Sequence, residues 1–160
     1  MEILVSTDWL AEHLNDADVR VCDVRWYLLE KDRTGYEEYL RGHIPNAVFI
    51  DLDTDLSAHF TGSGGRHPLP RADLFAAAMA RAGIDATTRV IAYDDRGGAA
   101  AARLWWLLRY FGHSRVALLD GGIVQWIAEG RPLSREIPRV TPGDFVPRPQ
   151  PQMSVDMATV

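Results

Sequence analysis

The sequence predicts a single α/β domain with a mostly parallel central sheet flanked by helices. Short apolar runs, which are typical of buried strands, alternate along the chain with longer stretches of helical periodicity. Hydrophobic residues make up 47% of the 160 residues and charged residues 24%, and both values are ordinary for a globular domain. This length can build one well-cored domain and little more.

The first half of the chain holds two predicted helices, each followed by a predicted strand. In chain order these are a helix over 6–14, a strand over 19–25, a short helix around Tyr36–Arg41 and a strand that ends at Asp51. Ser6 or Thr7 is the expected cap of the first helix, because a hydroxyl there can accept from a free backbone N–H. A turn at His43–Pro45 precedes the second strand.

The second half continues the alternation with three helices and two strands. They are a helix over 71–84, a strand over 89–94, a helix over 99–112, a strand over 115–122 and a helix over 122–130. Gly83, Gly112 and Gly130 are expected to end the three helices, because glycine readily adopts the left-handed conformation of a helix end.

The composition changes after Gly130, and we place the end of the domain (1–130) there. Six of the nine prolines follow this residue, which predicts an extended linker over residues 131–152. The segment "MSVDMA" near the end of the chain then repeats the pattern of "VSTDWL" at 5–10: an apolar residue, Ser, a spacer, Asp and an apolar residue. We therefore expect residues 153–160 to begin a second copy of the domain.

Charge and cysteine content exclude several classes of protein. The net charge of −5 argues against a nucleic-acid partner, because no surplus of Lys and Arg can neutralise phosphates. The start of the chain does not have the pattern of a signal peptide, and no apolar run predicts a membrane span. The single cysteine fits a reducing cytoplasm.

A loop with the outline of an anion site follows the strand over 89–94. Gly97 and Gly98 lead into a helix, and backbone amides at a helix start attract an anion. The residues that leave the strand, however, are the carboxylates Asp94 and Asp95. The predicted site already contains negative charge.

Several motifs together resemble one family. "CDVRWYL", "YEEYLRGHIPNAVFIDLD", "GRHPLP", "VIAYDD", "RLWWLLRYFGH" and "LLDGGIVQWIAEG" cover nearly the whole chain in the order found in rhodanese domains. They are similar to the N-terminal half of two-domain sulfurtransferases of the thiosulfate or 3-mercaptopyruvate type. In that family a cysteine in the C-terminal domain accepts sulfur as a persulfide and passes it to cyanide or a thiol, with no cofactor.

The resemblance implies that the loop after the strand over 89–94 does no chemistry here. Asp94 stands where the family's catalytic cysteine stands in the other domain, and its carboxylate would take the amide hydrogen bonds of a persulfide. The inactive loop consists of Asp94, Asp95, Arg96, Gly97, Gly98 and Ala99. The catalytic cysteine is then expected beyond Val160, in a C-terminal rhodanese domain of the same protein.

The resemblance also assigns supporting roles to Asp53 and His67. In the 3-mercaptopyruvate enzymes the matching Asp and His reach the inter-domain cleft, where they resemble a triad with a serine of the other domain. A histidine oriented by a carboxylate can act as a general base. The alternative is that His67 caps a loop and Asp53 holds a turn.

Other candidates favour structural interpretations. Cys22 lies inside a strand, where a free cysteine is usually a buried hydrophobe. The carboxylates of "DLDTDLS" (51–57) do not match a calcium loop, so we expect no metal. A second set of residues is expected to organise the fold: Asp23, Arg25, His43 and Arg96. We keep two functions open, half of a sulfurtransferase and a stand-alone inactive rhodanese module for partner binding or regulation.

Overall fold

Five strands form one parallel sheet at the centre of the molecule. The computed structural model describes residues 1–28, 30–62 and 65–155. The strands are β1 (Leu4–Val5), β2 (Val19–Asp23), β3 (Val48–Phe49), β4 (Arg89–Tyr93) and β5 (Val116–Leu119). They lie in the order β1-β5-β4-β2-β3, and each of these pairings is parallel. The predicted α/β class with a parallel sheet is confirmed.

Helices cover both faces of this sheet. They are α1 (Thr7–His13), α2 (Gly35–Arg41), α3 (Ala72–Arg81), α4 (Ala101–Tyr110) and α5 (Gly122–Ala128). Successive side chains of a strand point to opposite faces. In β4, Val90 and Ala92 belong to the core that α3 and α4 pack, whereas Ile91 and Tyr93 belong to the core that α1 and α5 pack. Burial on both faces explains why this strand is a continuous apolar run.

Some element boundaries differ from the sequence prediction. β2 ends at Asp23 rather than at residue 25, because the Asp23 carboxylate accepts the backbone N–H of Arg25 at 3.0 Å and turns the chain out of the sheet. α4 begins at Ala101 rather than at residue 99, because residues 97–100 form a turn. β3 ends at Phe49 rather than at Asp51, and β5 spans Val116–Leu119 rather than 115–122. The two-residue β1 was not predicted, because so short a strand leaves no periodic pattern.

The helix ends follow the predicted chemistry. Ser6 caps α1, since its hydroxyl accepts from the backbone N–H of Trp9 at 3.1 Å. The predicted terminal glycines Gly83, Gly112 and Gly130 all have positive φ, at 73°, 87° and 71°. These positions therefore favour glycine for a backbone reason.

The proline-rich segment packs along the domain. Residues 131–155 contain one isolated bridge, between Ser134 and His43, and a single 3₁₀ turn (Pro151–Met153). Phe145 of this segment is buried in the core beside α3 and α4. Residues 156–160 lie outside the described residues, so the expected start of a second domain at 153–160, and with it the predicted domain division, stays a prediction.

Candidate functional site

The carboxyl ends of three neighbouring strands bring the candidate residues to one edge of the sheet. Trp26 follows β2, Asp53 follows β3 and Asp94 directly follows β4. In parallel sheets, ligands bind in the crevice outside the carboxyl ends of the strands. The fold thus places Asp53 and the Asp94 loop at the edge where a site is expected.

The Asp94 carboxylate is enclosed by four backbone amides. Its Oδ1 accepts hydrogen bonds from the N–H groups of Arg96 and Gly98, both at 2.8 Å. Its Oδ2 accepts from those of Ala100 and Ala101, at 2.8 and 2.9 Å. The residue is only 2% exposed. The protein's own carboxylate therefore occupies the amides that an external anion would use, and these amides extend two residues beyond the predicted loop.

Glycines allow the backbone to close around Asp94. Gly97 and Gly98 have φ values of 69° and 89°, a conformation that turns the chain back towards the carboxylate. On the other side, a Cβ on Gly122 would lie 2.3 Å from the carbonyl oxygen of Asp94. The N–H of Ile123 donates to that oxygen at 3.1 Å. The start of α5 thus holds the backbone of Asp94 in place.

The second carboxylate, Asp95, points into a different set of contacts. Its Oδ2 accepts from the Tyr27 hydroxyl at 2.6 Å and from Arg33 Nη2 at 3.3 Å. Burial and the neighbouring Asp95 raise the pKa of Tyr27, so its hydroxyl keeps the proton that it donates. The guanidinium groups of Arg33 and Arg96 lie over the Tyr27 ring, 4.0 and 5.0 Å from its centroid, and Arg96 also pairs with Glu30.

Asp53 and His67 form a hydrogen-bonded pair. His67 Nε2 lies 2.9 Å from Asp53 Oδ1, and Trp26 Nε1 donates to Asp53 Oδ2 at 2.8 Å. The Trp26 ring meets the His67 ring edge to face, with 5.0 Å between centroids. Because a carboxylate can only accept, Nε2 carries the proton in this arrangement, and in a neutral imidazole Nδ1 is the basic atom.

The turn that precedes this pair is held by a different carboxylate. Asp51 Oδ1 accepts from the backbone N–H groups of Asp53 and Thr54, at 2.8 and 3.0 Å. Asp55 pairs with Arg81 at 2.9 Å. The sequence left open that Asp53 holds this turn, but it is the side chain of Asp51 that accepts these bonds. The Asp53 side chain is 58% exposed.

Two adjoining hollows connect the pair with the Asp94 loop. The outer one measures about 670 Å³ and the deeper one about 270 Å³. Trp26, Leu28 and His67 line both. The outer hollow is completed by Tyr27, Asp53, Phe60 and Arg66, and the deeper one by Leu52, Asp94, Asp95, Arg96, Ala99, Ala100 and Arg103. We refer to both together as the cleft.

Two residues of the cleft were missed by the sequence analysis. Trp26 orients Asp53, as described above. Arg103 on α4 donates from Nε to Leu56 O and from Nη2 to the carbonyl oxygens of His67 and Pro68, at 3.0, 2.9 and 3.1 Å. Helix α4 carries two arginines, Arg103 and Arg109, and nothing in the sequence distinguishes the one that reaches the cleft.

The remaining sequence candidates lie away from the cleft. Cys22 is completely buried in β2, and burial raises the pKa of its thiol to about 12. Asp23 pairs with Arg25, two residues further along the chain, at 2.6 Å. His43 lies between the carbonyl oxygens of Tyr39 and Glu136, at 2.8 and 2.9 Å.

Within residues 1–28, 30–62 and 65–155, no group of three or more His, Cys, Asp or Glu side chains is arranged to hold a metal ion. In the same part of the chain, no helix is both long and apolar enough to cross a membrane.

Sequence comparison assigns the fold and these motifs to a known family. The model of the rhodanese-like domain matches residues 6–129. The chain belongs to the rhodanese-like family. A probable 3-mercaptopyruvate sulfurtransferase of Pseudomonas aeruginosa is 40% identical over 159 residues, which are 98% of this chain and 56% of that protein. A thiosulfate/3-mercaptopyruvate sulfurtransferase of Arabidopsis thaliana is 42% identical over 131 residues, which are 81% of this chain and 37% of that protein.

Comparison with solved structures gives the same family. The rhodanese fold here superposes on SseA from Escherichia coli, described as a 3-mercaptopyruvate sulfotransferase, with a TM-score of 0.89 and 36% identity. That match covers 99% of this chain and 60% of SseA. The predicted rhodanese resemblance is confirmed, and the chain spans about one third to just over one half of the length of the curated relatives quoted above.

Proposed function

We propose that this rhodanese chain supplies the half of a sulfurtransferase active site that lacks the nucleophile. The substrates are thiosulfate or 3-mercaptopyruvate as donor and cyanide or a thiol as acceptor. The nucleophile is a cysteine of a C-terminal rhodanese domain of the same protein. The setting is a reducing cytoplasm, in which a lone thiol stays unpaired.

The observation that carries this proposal is that neither the thiol of Cys22 nor the loop of Asp94 can serve as a nucleophilic site. Cys22 is the chain's one cysteine, and it is 0% exposed with a pKa raised to about 12, so it supplies no thiolate. Asp94 fills the amide cradle where a persulfide would need to lie. The chain offers a cleft and a His–Asp pair but needs a cysteine from elsewhere.

The proposed chemistry gives His67 a proton to move. With 3-mercaptopyruvate, a cysteine thiolate attacks the donor sulfur, the carbon–sulfur bond breaks, and the products are a cysteine persulfide and pyruvate. Balance requires the donor's thiol proton to end on the methyl carbon of pyruvate. His67, oriented through Nε2 by Asp53, can relay that proton through Nδ1. With thiosulfate the sulfur–sulfur bond breaks and sulfite leaves, so no such proton needs to be moved.

The first test is complementation. The purified chain alone should match the blank in thiosulfate:cyanide and 3-mercaptopyruvate assays. Mixed with the catalytic-cysteine half of the Escherichia coli relative, it should bind and raise the activity of that half. Turnover by the chain alone that disappears in Cys22→Ser would contradict the proposal.

The same assay separates the two functions that the sequence left open. One outcome is that the two halves do not associate at tens of micromolar in sedimentation, and that the C-terminal half of the chain's own protein behaves in the same way. That result would contradict the proposal that the chain pairs with a cysteine-bearing domain. A stand-alone module for partner binding or regulation would then be the better account.

The second test concerns the His–Asp pair. In the complemented enzyme, His67→Ala should lower kcat/KM for 3-mercaptopyruvate by about 10²-fold, because a general base contributes rate of this order. The effect on thiosulfate should be smaller, since that donor brings no proton. His59→Ala, at an exposed position, is the matched control. Equal kinetics for both variants, with a lowered Tm for His67→Ala, would assign the pair a structural role.

A further inference from the structure

Arg103 joins the two parts of the cleft that the proposed function uses. It lies in the first turn of α4, two residues after Ala101, whose N–H donates to Asp94 at 2.9 Å. From there its guanidinium reaches across the cleft to the segment that carries His67. It donates to the backbone of His67 itself at 2.9 Å and of Pro68 at 3.1 Å.

The position of Arg103 is unusual for an arginine. Its side chain is half-buried, and none of the ion pairs among the described residues includes it. Loss of hydration lowers its pKa. Its hydrogen bonds go instead to three backbone carbonyls, with Leu56 O at 3.0 Å as the third. A planar guanidinium suits this task, because its N–H groups diverge in fixed directions and can hold several acceptors at once.

The three carbonyls belong to segments without regular secondary structure. Leu56 lies in the turn after β3, and His67 and Pro68 lie in the "HPLP" turn. Pro68 and Pro70 fix φ within the second segment, and the N–H of Ala58 donates to Pro68 O at 3.1 Å, but neither of these constraints joins the segment to a helix. The tie to α4 therefore supplies a constraint that the local sequence around His67 does not.

We propose that Arg103 is a positioning residue that sets His67 against the Asp94 loop, by holding the backbone of the His67 turn to helix α4. The assignment of a catalytic purpose to this tie rests on the proposed function. The tie itself is a property of this chain and can be tested without any activity.

The test uses Trp26 and His67 as spectroscopic reporters in the purified chain. The chain's five tryptophans give five indole N–H resonances in a ¹⁵N spectrum, and that of Trp26 reports its bond to Asp53. In Arg103→Met, hydrogen exchange of the Trp26 indole should be about tenfold faster. The reason is that the His67 backbone is no longer held, which loosens the Asp53–His67 pair to which Trp26 is bonded. The His67 imidazole resonances should move in the same variant, whereas the indole of the buried Trp126 should not.

Two further variants control the experiment. Arg103→Lys keeps the charge but not the fork of donors, so it should give an intermediate exchange rate. Arg109→Met removes an exposed arginine of the same helix, whose guanidinium lies over Trp105, and should leave the Trp26 resonance unchanged. Exchange at Trp26 within about twofold of wild type in folded Arg103→Met would overturn the proposal. If that variant does not fold, wild-type exchange in Arg103→Lys would overturn it.

Kinetics then separate positioning from the proposed function. In the complemented enzyme, Arg103→Lys should lower kcat with little change in KM, because His67 still meets the donor but at a poorer angle. Faster exchange at Trp26 together with an unaltered kcat would keep the tie but overturn its catalytic purpose. An inactive complemented wild type would contradict the proposed function and leave the outcome at Trp26 to decide on the tie.

Discussion

Two adjacent residues of one type, Asp94 and Asp95, have different roles because the backbone turns between them. Asp94 faces inward and receives four amide hydrogen bonds. Asp95 faces the Tyr27 hydroxyl and the Arg33 guanidinium. A carboxylate that receives four N–H donors needs no counter-ion, because the amide dipoles supply the compensating charge. The negative charge in the loop thus completes it rather than conflicting with it.

Replacing Asp94 by Asn tests how much this charge stabilises the fold. The amide side chain keeps one accepting oxygen, but its NH₂ group would face two N–H donors, which leaves these donors unsatisfied. We expect Asp94→Asn to lower the free energy of unfolding by about 2–3 kcal/mol, measured by urea denaturation. Asp120→Asn, at an exposed aspartate, should change it by less than about 0.5 kcal/mol. Equal values for the two variants would contradict this account of the loop.

Residues in the cleft were predictable from the sequence to the extent that they form local patterns. Asp94 was identifiable because it stands between a strand and a glycine-rich helix start, and Asp53 and His67 because they match motifs. Trp26 and Arg103 were not, because their partners lie 27 residues or more away in sequence. The partners of Arg103 are backbone carbonyls, which any residue possesses and which therefore leave no sequence signal.

At the scale of elements, the proline-rich segment contributes to the fold through its backbone as well as its side chains. Gly143 donates to Ala80 O, and Arg148 to Phe111 O, both at 2.8 Å. Composition predicted the irregular backbone of this segment, because proline lacks an N–H group. It could not predict that three of the segment's N–H groups, those of Gly143, Arg148 and Gln150, pair with the carboxyl ends of α3 and α4, where free carbonyls are available.

Phe145 provides a direct test of that contribution. It is 7% exposed and packs edge to face on Phe75, with 5.7 Å between ring centroids. Phe145→Ala should lower the free energy of unfolding by about 3–4 kcal/mol, because it leaves a cavity in the core. Val146→Ala, next to it and 59% exposed, should cost less than about 0.5 kcal/mol. A small effect of Phe145→Ala would mean that the segment is dispensable for the domain.

The junction of β4 with α5 depends on one glycine at close approach. Gly122 has a φ of 56°, and its added Cβ would lie 2.3 Å from Asp94 O. Gly130 has a φ of 71° but no atom within 4 Å of an added Cβ. Gly130→Ala should thus cost only the left-handed backbone strain, about 1 kcal/mol, in thermal or urea unfolding. Gly122→Ala should cost about 3 kcal/mol, since the clash adds to the strain; equal costs would contradict the contact.

The described residues form two cores, one on each face of the sheet, and the proline-rich segment contacts both. In the core beside α1 and α5, Trp126 donates from Nε1 to the carbonyl oxygen of Pro132 at 2.8 Å. Phe145 belongs to the core beside α3 and α4. His113, which follows α4, is 6% exposed and lies 6.0 Å from the Phe145 ring, centroid to centroid. Burial lowers the pKa of His113 from the ordinary histidine value of 6.5. The folded protein therefore favours the neutral form of the His113 imidazole.

The lowered pKa of His113 makes the stability of the molecule depend on pH in a defined window. The unfolded chain binds a proton at His113 at a higher pH than the folded chain does, so stability is complete above pH 6.5 and falls as the pH drops below it. The pKa values of Asp18, Asp85 and Glu129 are also lowered, that of Glu129 to about 2. These carboxylates stabilise the fold while they are ionised, so their contribution is lost only at more acidic pH, below the ordinary carboxylate range. The loss between pH 7 and pH 5 should therefore come first from His113.

Urea unfolding of wild type and His113→Gln at pH 7 and at pH 5 measures this contribution. The variant is expected to be less stable at pH 7, because glutamine packs poorly beside Phe145, but it should lose less stability than wild type on going to pH 5. His59→Gln, at an exposed histidine, should keep the wild-type pH dependence. The comparison uses the change with pH and not the absolute stability, so a packing defect does not affect it. Parallel pH profiles of wild type and His113→Gln would show that the imidazole is not the group that titrates.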